Sequence, residues 1–223
     1  MSASNKTIAI LGGTGKLGGG LAYRWCKAGL DVVIGSRSKQ KAAEAAEAVA
    51  ERVPGASVRA MSNENAAAEA DIVVLSVPFS HQDQMLEAVR DHVQAKIVID
   101  TTVALVPPKV WTVQLPPEGC AGVIAQEFLG DGVRVVSAFQ NVAASHVNSE
   151  HHIECHVLVC GNDEDARQQV IDLADLAGMR AWHAGPIENA AAAEALTSVL
   201  ISLNRHYKIP GSGIVITGDP SVP

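Results

Sequence analysis

A doubly wound α/β fold, a parallel sheet covered by helices on both faces, is predicted by three features of this 223-residue chain. The β-branched run Thr7 to Leu11 breaks into a glycine loop, after which Leu17, Leu21, Ala22, Trp25 and Cys26 recur at helical spacing. Short apolar runs then alternate with helical patterns along most of the chain, the signature of βαβ units. Hydrophobic residues make up 48% of the composition and aromatics only 4%, which suits aliphatic packing on a parallel sheet better than a β-sandwich.

The loop Gly12-Gly13-Thr14-Gly15-Lys16-Leu17-Gly18 holds a G-x-G-x-x-G between a strand and a helix, the start of a dinucleotide site. Gly13 is expected to make the tight turn, Gly15 to let the backbone approach a pyrophosphate, and Gly18 to let the helix pack on the strand. The phosphates would rest on the helix N-terminus. Asp31 to Gly35 reads as the second strand, reached through a Gly29 cap. An NAD-selective site offers a carboxylate to the ribose at that strand end, whereas this chain continues Gly35-Ser36-Arg37-Ser38-Lys39, with Lys41 close behind. Ser36, Arg37 and Lys41 suit a 2′-phosphate, so the cofactor expected is NADP(H).

Lys41 to Arg52 is an alanine-rich helix ended by Pro54-Gly55. Ser57 to Ala60 gives a third strand, Asn63 to Glu69 a short helix, and Asp71 to Val77 a buried fourth strand. That strand ends at Pro78-Phe79-Ser80-His81, which places Phe79 and His81 beyond its carboxyl end, where a nicotinamide would lie. A helix to His92 and a strand from Lys96 to Ile99 follow, then Asp100 to Val103 and an irregular proline-rich stretch from Pro107 to Pro117. Ala121 to Leu129 is helical and Arg134 to Ser137 is a strand, so a nucleotide-binding domain is expected over residues 1–138 and a smaller α/β domain over 139–223. In the latter, Cys155 to Cys160 and Arg180 to His183 read as strands, Asp163 to Ala177 as a helix capped by Asn162, and Glu188 to His206 as a long helix after the Ala184-Gly185-Pro186 turn. Ile214 to Thr217 suggests an edge strand, and Gly218 to Pro223 a mobile tail.

Charge and cysteine content limit the functional classes. The net charge of −7, from 24 acidic against 17 basic residues, argues against nucleic-acid and membrane-surface partners. No apolar run reaches membrane-span length and no signal-peptide core precedes the first strand, so a cytoplasmic protein is expected. The four cysteines are too sparse for a disulfide framework. His151, His152, Cys155, His156 and Cys160 fit no tetrahedral zinc spacing, and no metal is expected. Tyr23 and Lys27 form a Tyr-x-x-x-Lys pair, but on the phosphate-binding helix, away from any substrate. No nucleophile elbow is present to support a hydrolase.

In order along the chain, Gly12-Gly13-Thr14-Gly15-Lys16-Leu17-Gly18, Gly35-Ser36-Arg37, Val77-Pro78-Phe79-Ser80-His81, Val136-Ser137-Ala138-Phe139, Cys160-Gly161-Asn162-Asp163 and Ala184-Gly185-Pro186 resemble the NADPH-dependent F-420 reductases. The resemblance covers nearly the whole chain and implies hydride transfer between NADP(H) and an 8-hydroxy-5-deazaflavin, the coenzyme F-420, bound between a Rossmann domain and a small C-terminal domain, in a homodimer. It places Thr14, Gly15, Lys16 and Leu17 on the pyrophosphate, and Ser36, Arg37 and Lys41 on the 2′-phosphate. Phe79, Val103 and Ser145 fall near the nicotinamide half. His81, Gln140, Asn141, Val142, Ala143, Ala184, Gly185 and Pro186 fall to the deazaflavin side. Where the family pattern has a His-Thr-Ile-Pro-like segment, this chain has Gln140-Asn141-Val142-Ala143. That departure favours a second reading, a reductase of another small ring such as a pterin or imine; a third is a non-catalytic NADP(H)-sensing module, which would lack a second pocket. Hydride transfer between two planar rings needs stacking rather than a protein acid or base, so no catalytic side chain is expected.

Overall fold

The apolar runs up to residue 137 become six parallel strands, five of them almost wholly buried and one edge strand half-buried. A computed structural model describes residues 6–218. Strands β1 (Thr7–Leu11), β2 (Asp31–Gly35), β3 (Val58–Met61), β4 (Ile72–Leu75), β5 (Ile97–Asp100) and β6 (Arg134–Ser137) lie in the order β3-β2-β1-β4-β5-β6. The register sets Ile10 beside Ile34 on one side and Val74 on the other, so β-branched rows stack across the sheet centre. Helices α1 (Lys16–Lys27), α2 (Lys39–Arg52), α3 (Asn63–Glu69), α4 (Gln82–Val89) and α5 (Ala121–Leu129) cover the sheet. Two aliphatic cores result, one around Ile10, Trp25 and Val32, the other around Leu11, Val73 and Leu86. Strand order reverses between β1 and β4, and their carboxyl ends open the crevice in which a doubly wound sheet binds ligands.

The second α/β unit extends the same sheet. β7 (Val157–Gly161) pairs antiparallel with β6, and β8 (Ala181–His183) pairs parallel with β7. Around them stand α6 (Ala144–Val147), α7 (Glu164–Leu176) and α8 (Ala190–Tyr207). Trp25 joins the two halves: its ring packs edge-on against Phe139 at 6.1 Å and its indole N–H donates to the Leu173 carbonyl at 2.8 Å.

Two local expectations need correction. Asp163, not Asn162, caps α7, accepting the Ala166 N–H at 2.6 Å, because its carboxylate also meets the positive end of the helix dipole. Asn162 instead accepts the Ile187 N–H at 3.0 Å and ties down the turn after β8. Ile214 to Thr217 forms no strand. The His156 N–H donates to the Ile214 carbonyl at 2.8 Å, but the next donor, the Ile216 N–H, goes to His156 Nδ1 at 2.9 Å and ends the ladder. Residues 209–217 form a strap instead, anchored by Ser212 N–H to Asn204 Oδ1 at 2.8 Å and by His146 Nε2 against the Gly211 carbonyl at 2.7 Å. Of the tail expected to be mobile, 219–223 lies outside the described residues.

The outer face of α1 locks the segment after α6. Arg24 donates to the carbonyls of Val147, Ala177, His146, Ser149 and His151 at 2.8–3.2 Å. Beside it, Tyr23, Lys27 and Arg52 converge on Glu150, whose carboxyl is held down to about 2, chiefly by the Tyr23 hydroxyl and then by Lys27. The Tyr-x-x-x-Lys pair therefore works as an anchor for this segment.

Candidate cofactor cleft and active site

Geometry sorts the loop glycines by task. Gly12, not Gly13, makes the turn: it sits at φ +71°, donates to the Gly35 carbonyl at 3.1 Å, and a Cβ there would stand 2.6 Å from the Ser76 carbonyl oxygen. Gly13 is a packing residue, since its Cβ would lie 2.7 Å from the Ile10 carbonyl oxygen. Gly18 packs the helix on the strand as anticipated, with Gly13 Cα 2.9 Å and Ile10 Cγ2 3.1 Å from a would-be Cβ. Gly15 is the N-cap of α1, and nothing lies within 3.4 Å of its missing Cβ, so its outer face is open to a ligand. The turn glycine was legible only as the residue directly after the last strand position.

The loop forms one wall of a cleft of about 430 Å³. Gly12, Thr14 and Gly15 stand on one side and Ser36, Arg37, Ser38 and Lys41 on another. Arg37 and Lys41 carry no ion pair within the described chain; Ser36 is nearly buried and its Oγ accepts the Ser38 N–H at 3.2 Å, shaping the turn. Asn63, absent from the sequence reading, lines the cleft and its Oδ1 accepts the Gly12 N–H at 3.4 Å. Pro78, His81, Gln84 and Met85 close the far side. His81 thus shares the cleft with Arg37 and Lys41, and none of Gln140, Asn141, Val142, Ala143, Ala184, Gly185 or Pro186 lines it. Lys16 is exposed and its carbonyl accepts the Asn148 amide at 2.7 Å, while Leu17 packs against the core. Phe79 and Val103 are half-buried and are not among the residues lining the cleft, and Ser145 is exposed with its Oγ 3.4 Å from the Pro210 carbonyl.

Gln140 and Asn141 turn inward. Gln140 Nε2 donates to the Asp100 carbonyl at 2.8 Å and to Ser137 Oγ at 2.6 Å, and Asn141 Nδ2 donates to the His156 carbonyl at 2.7 Å. Val142 is buried, and Ala143, the N-cap of α6, abuts Gly211 of the strap. A hollow of about 340 Å³ lies beneath that strap, lined by His146, Ile153, Cys155 and Val215. Ala184, Gly185 and Pro186 are not brought to this segment. Their turn is tied to β7, through Ala184 N–H to the Val159 carbonyl and Gly161 N–H to the Gly185 carbonyl, and Gly185 takes φ +97°. The C-terminal residue that meets Gln140 is Thr197 of α8, whose hydroxyl donates to the Gln140 carbonyl at 2.9 Å. Among the described residues, no group of three or more His, Cys, Asp or Glu is placed to hold a metal ion. Cys155 is buried against Asn141, and His156 Nδ1 accepts from Trp182 Nε1 as well as from Ile216.

Two buried carboxyls lie behind these walls. Burial pushes Asp100, which has no accessible surface, above the usual carboxylate range against hydrogen bonds from Thr102 and Gln82. Glu194 of α8 accepts the Ala121 and Gly122 N–H groups at 3.0 and 3.2 Å, and burial pushes it up to about 7. A carboxyl raised in the folded state stabilises most below its unfolded pKa, and that contribution is lost as pH rises through about 7. Between about pH 4.5 and 7 the melting temperature of the wild type should therefore fall relative to that of Glu194→Gln, which cannot titrate. Parallel pH–melting curves for the two proteins would disprove this.

The family described as "NADP oxidoreductase coenzyme F420-dependent" matches residues 7–104. The chain is 40% identical over 219 residues to the F420-dependent NADP reductase of Methanocaldococcus jannaschii, covering 94% of this chain and 97% of that protein. It is 38% identical over 222 residues to the F420-dependent NADP reductase of Methanothermobacter marburgensis, covering 96% and 99%. A crystal structure from Arthrobacter sp. FB24, provisionally named an F420-dependent NADP-reductase, superposes with a TM-score of 0.78 at 24% identity, covering 95% of this chain and all of that one, and so shares the fold.

Proposed function

The chain belongs to the family of F420-dependent NADP reductases, and on that premise we propose that it passes a hydride reversibly between NADP(H) and the deazaflavin coenzyme F420. The observation that carries the NADP(H) half is a single cleft that sets the open N-cap of α1 opposite Ser36, Arg37 and Lys41. In this reading the backbone of Thr14 to Leu17 holds the pyrophosphate, and Ser36, Arg37 and Lys41 hold the 2′-phosphate. Pro78, His81 and Met85 wall the adenosine. Phe79, Val103 and Ser145 flank the nicotinamide, and the Gln140–Ala143 segment bounds the deazaflavin.

The nicotinamide and the deazaflavin supply the hydride chemistry when bound; the protein's part is to bind, orient and exclude water. Asp100 and Glu194 are buried away from solvent, and no side chain is assigned as a proton donor. Residues 1–138 act as the nucleotide-binding half and 139–223 as the half that covers the second ring. The enzyme works in the cytoplasm as a homodimer in this proposal. Support comes from Val199, Leu203 and Tyr207, which form an exposed apolar stripe at i, i+4 and i+8 of α8. Among the described residues no helix is long and apolar enough to cross a membrane.

Stopped-flow mixing of the NADPH-loaded enzyme with F420 tests the reading, with a pterin as the rival acceptor. Loss of the deazaflavin absorbance in step with NADPH oxidation is expected, and His81→Ala should slow the transfer step little. Tight NADPH binding without deazaflavin reduction would refute the proposal, and reduction of the pterin instead would replace the acceptor.

A further inference from the structure

Asp100 is fully buried at the carboxyl end of β5, and the described residues give it no cationic partner. Burying an unpaired carboxyl is costly, and a fold seeking stability alone would place an apolar or amide side chain there. The network around it adds to that cost: among the described residues, the buried amide oxygens Gln82 Oε1 and Gln140 Oε1 have no hydrogen-bond partner. Such a concentration of unfavourable groups at the ligand end of the sheet calls for an explanation beyond folding.

The contacts supply one. Asp100 Oδ1 accepts the Thr102 N–H at 2.9 Å, fixing the start of the segment that carries Val103. Thr101 closes that segment onto β4, its N–H and hydroxyl reaching the Leu75 carbonyl at 3.1 and 2.9 Å, one residue before Ser76 of the cleft wall. Asp100 Oδ2 accepts Gln82 Nε2 at 2.7 Å, and the same amide donates to the Ala121 carbonyl at 3.0 Å, so α4 and α5 are held by one side chain. The Asp100 carbonyl accepts the Ala138 N–H at 3.1 Å and Gln140 Nε2 at 2.8 Å. One residue is thus bonded toward both the nicotinamide-side and the deazaflavin-side segments.

We propose that Asp100 is a positioning residue for hydride transfer, a hub that holds the Thr101–Ala104 segment and the Gln140–Ala143 segment at a fixed spacing beneath the two rings. The inference rests on the function proposed above. It separates binding from transfer: the residues assigned above to the NADPH phosphates line the cleft and do not include Asp100, whereas the transfer step depends on how closely two rings meet.

The test compares the full-length wild type with Asp100→Asn, which keeps the shape but turns a donor toward Gln82, and with Gln82→Met, which removes the amide from the hub. NADPH affinity is read by titration, nicotinamide rigidity by time-resolved anisotropy of bound NADPH, and transfer by single turnover with F420. Both variants are expected to bind NADPH within about threefold of wild type, to transfer hydride about ten- to a hundredfold more slowly, and to give bound nicotinamide a faster local depolarisation. If the wild type fails to reduce F420, the acceptor reading falls while the anisotropy comparison still decides the role of Asp100. Unchanged anisotropy and rate in folded variants, affinity and rate falling together, or failure of both variants to fold would each overturn the proposal.

Discussion

Gly12→Ala is expected to abolish NADPH binding and to lower stability by about 3 kcal/mol or more. The methyl group would meet the Ser76 carbonyl oxygen at 2.6 Å and Val77 Cγ1 at 2.8 Å, distances at which backbone must move because neither neighbour is the far end of a flexible side chain. A non-glycine residue at φ +71° adds roughly 1 kcal/mol of backbone strain. Relief requires Gly12 to move away from Ser76 and Val77, which also breaks its bonds to the Gly35 carbonyl and Asn63 and leaves only the weaker Gly13 N–H bond to Gly35 among these ties. Denaturant unfolding and NADPH titration read both effects, and Gly15→Ala is the control. With nothing nearer than 3.4 Å, a methyl at Gly15 should leave stability within about 0.5 kcal/mol of wild type and weaken only the nucleotide. Equal stability of the Gly12 and Gly15 variants would show that the turn has been assigned to the wrong glycine.

The central strands β4 and β5 were legible because each is a short run rich in Val and Ile and buried on both faces, a pattern that local sequence alone distinguishes from an alanine-rich helix such as α2. The direction of β7 was not legible. Whether a strand runs parallel or antiparallel is decided by its partner, here the Val136–Gly161 pairing, which no residue within β7 announces. Ile214 to Thr217 has the composition of a strand, yet a histidine nitrogen outcompetes the next backbone carbonyl for the Ile216 N–H. The same limit applies to the site. Ser36, Arg37 and Lys41 follow one strand end and could be read together; Asn63 and His81 reach the same cleft from α3 and from the segment before α4, and only the fold joins them. The Ala184–Pro186 turn was grouped with Gln140–Ala143 on resemblance, while the hydrogen bonds assign it to β7 and give Thr197 to Gln140.

Arg37→Ala should weaken NADPH by about ten- to a hundredfold and leave NADH nearly unchanged, narrowing the cofactor preference without harming the fold. The guanidinium lines the cleft, is exposed, and has no carboxylate partner among the described residues, so its removal orphans nothing in the apoprotein. Its charge is available for a phosphate, and a charge-assisted contact to such a group is worth about 1.5–3 kcal/mol. Lys41 stands in the first turn of α2 and lines the same wall, so it retains part of the attraction and keeps the loss from being complete. Glu64 also lines the cleft, and without Arg37 its negative charge faces the phosphate less opposed, which works in the same direction. Neither effect touches NADH, which carries no 2′-phosphate. Dissociation constants for both nucleotides at two ionic strengths provide the measurement: the NADPH loss should shrink as salt screens the exposed pair. A matching loss for NADH would mean that Arg37 shapes the cleft instead of reading the phosphate, and the assignment of NADP(H) to the Ser36–Arg37 turn would have to be withdrawn.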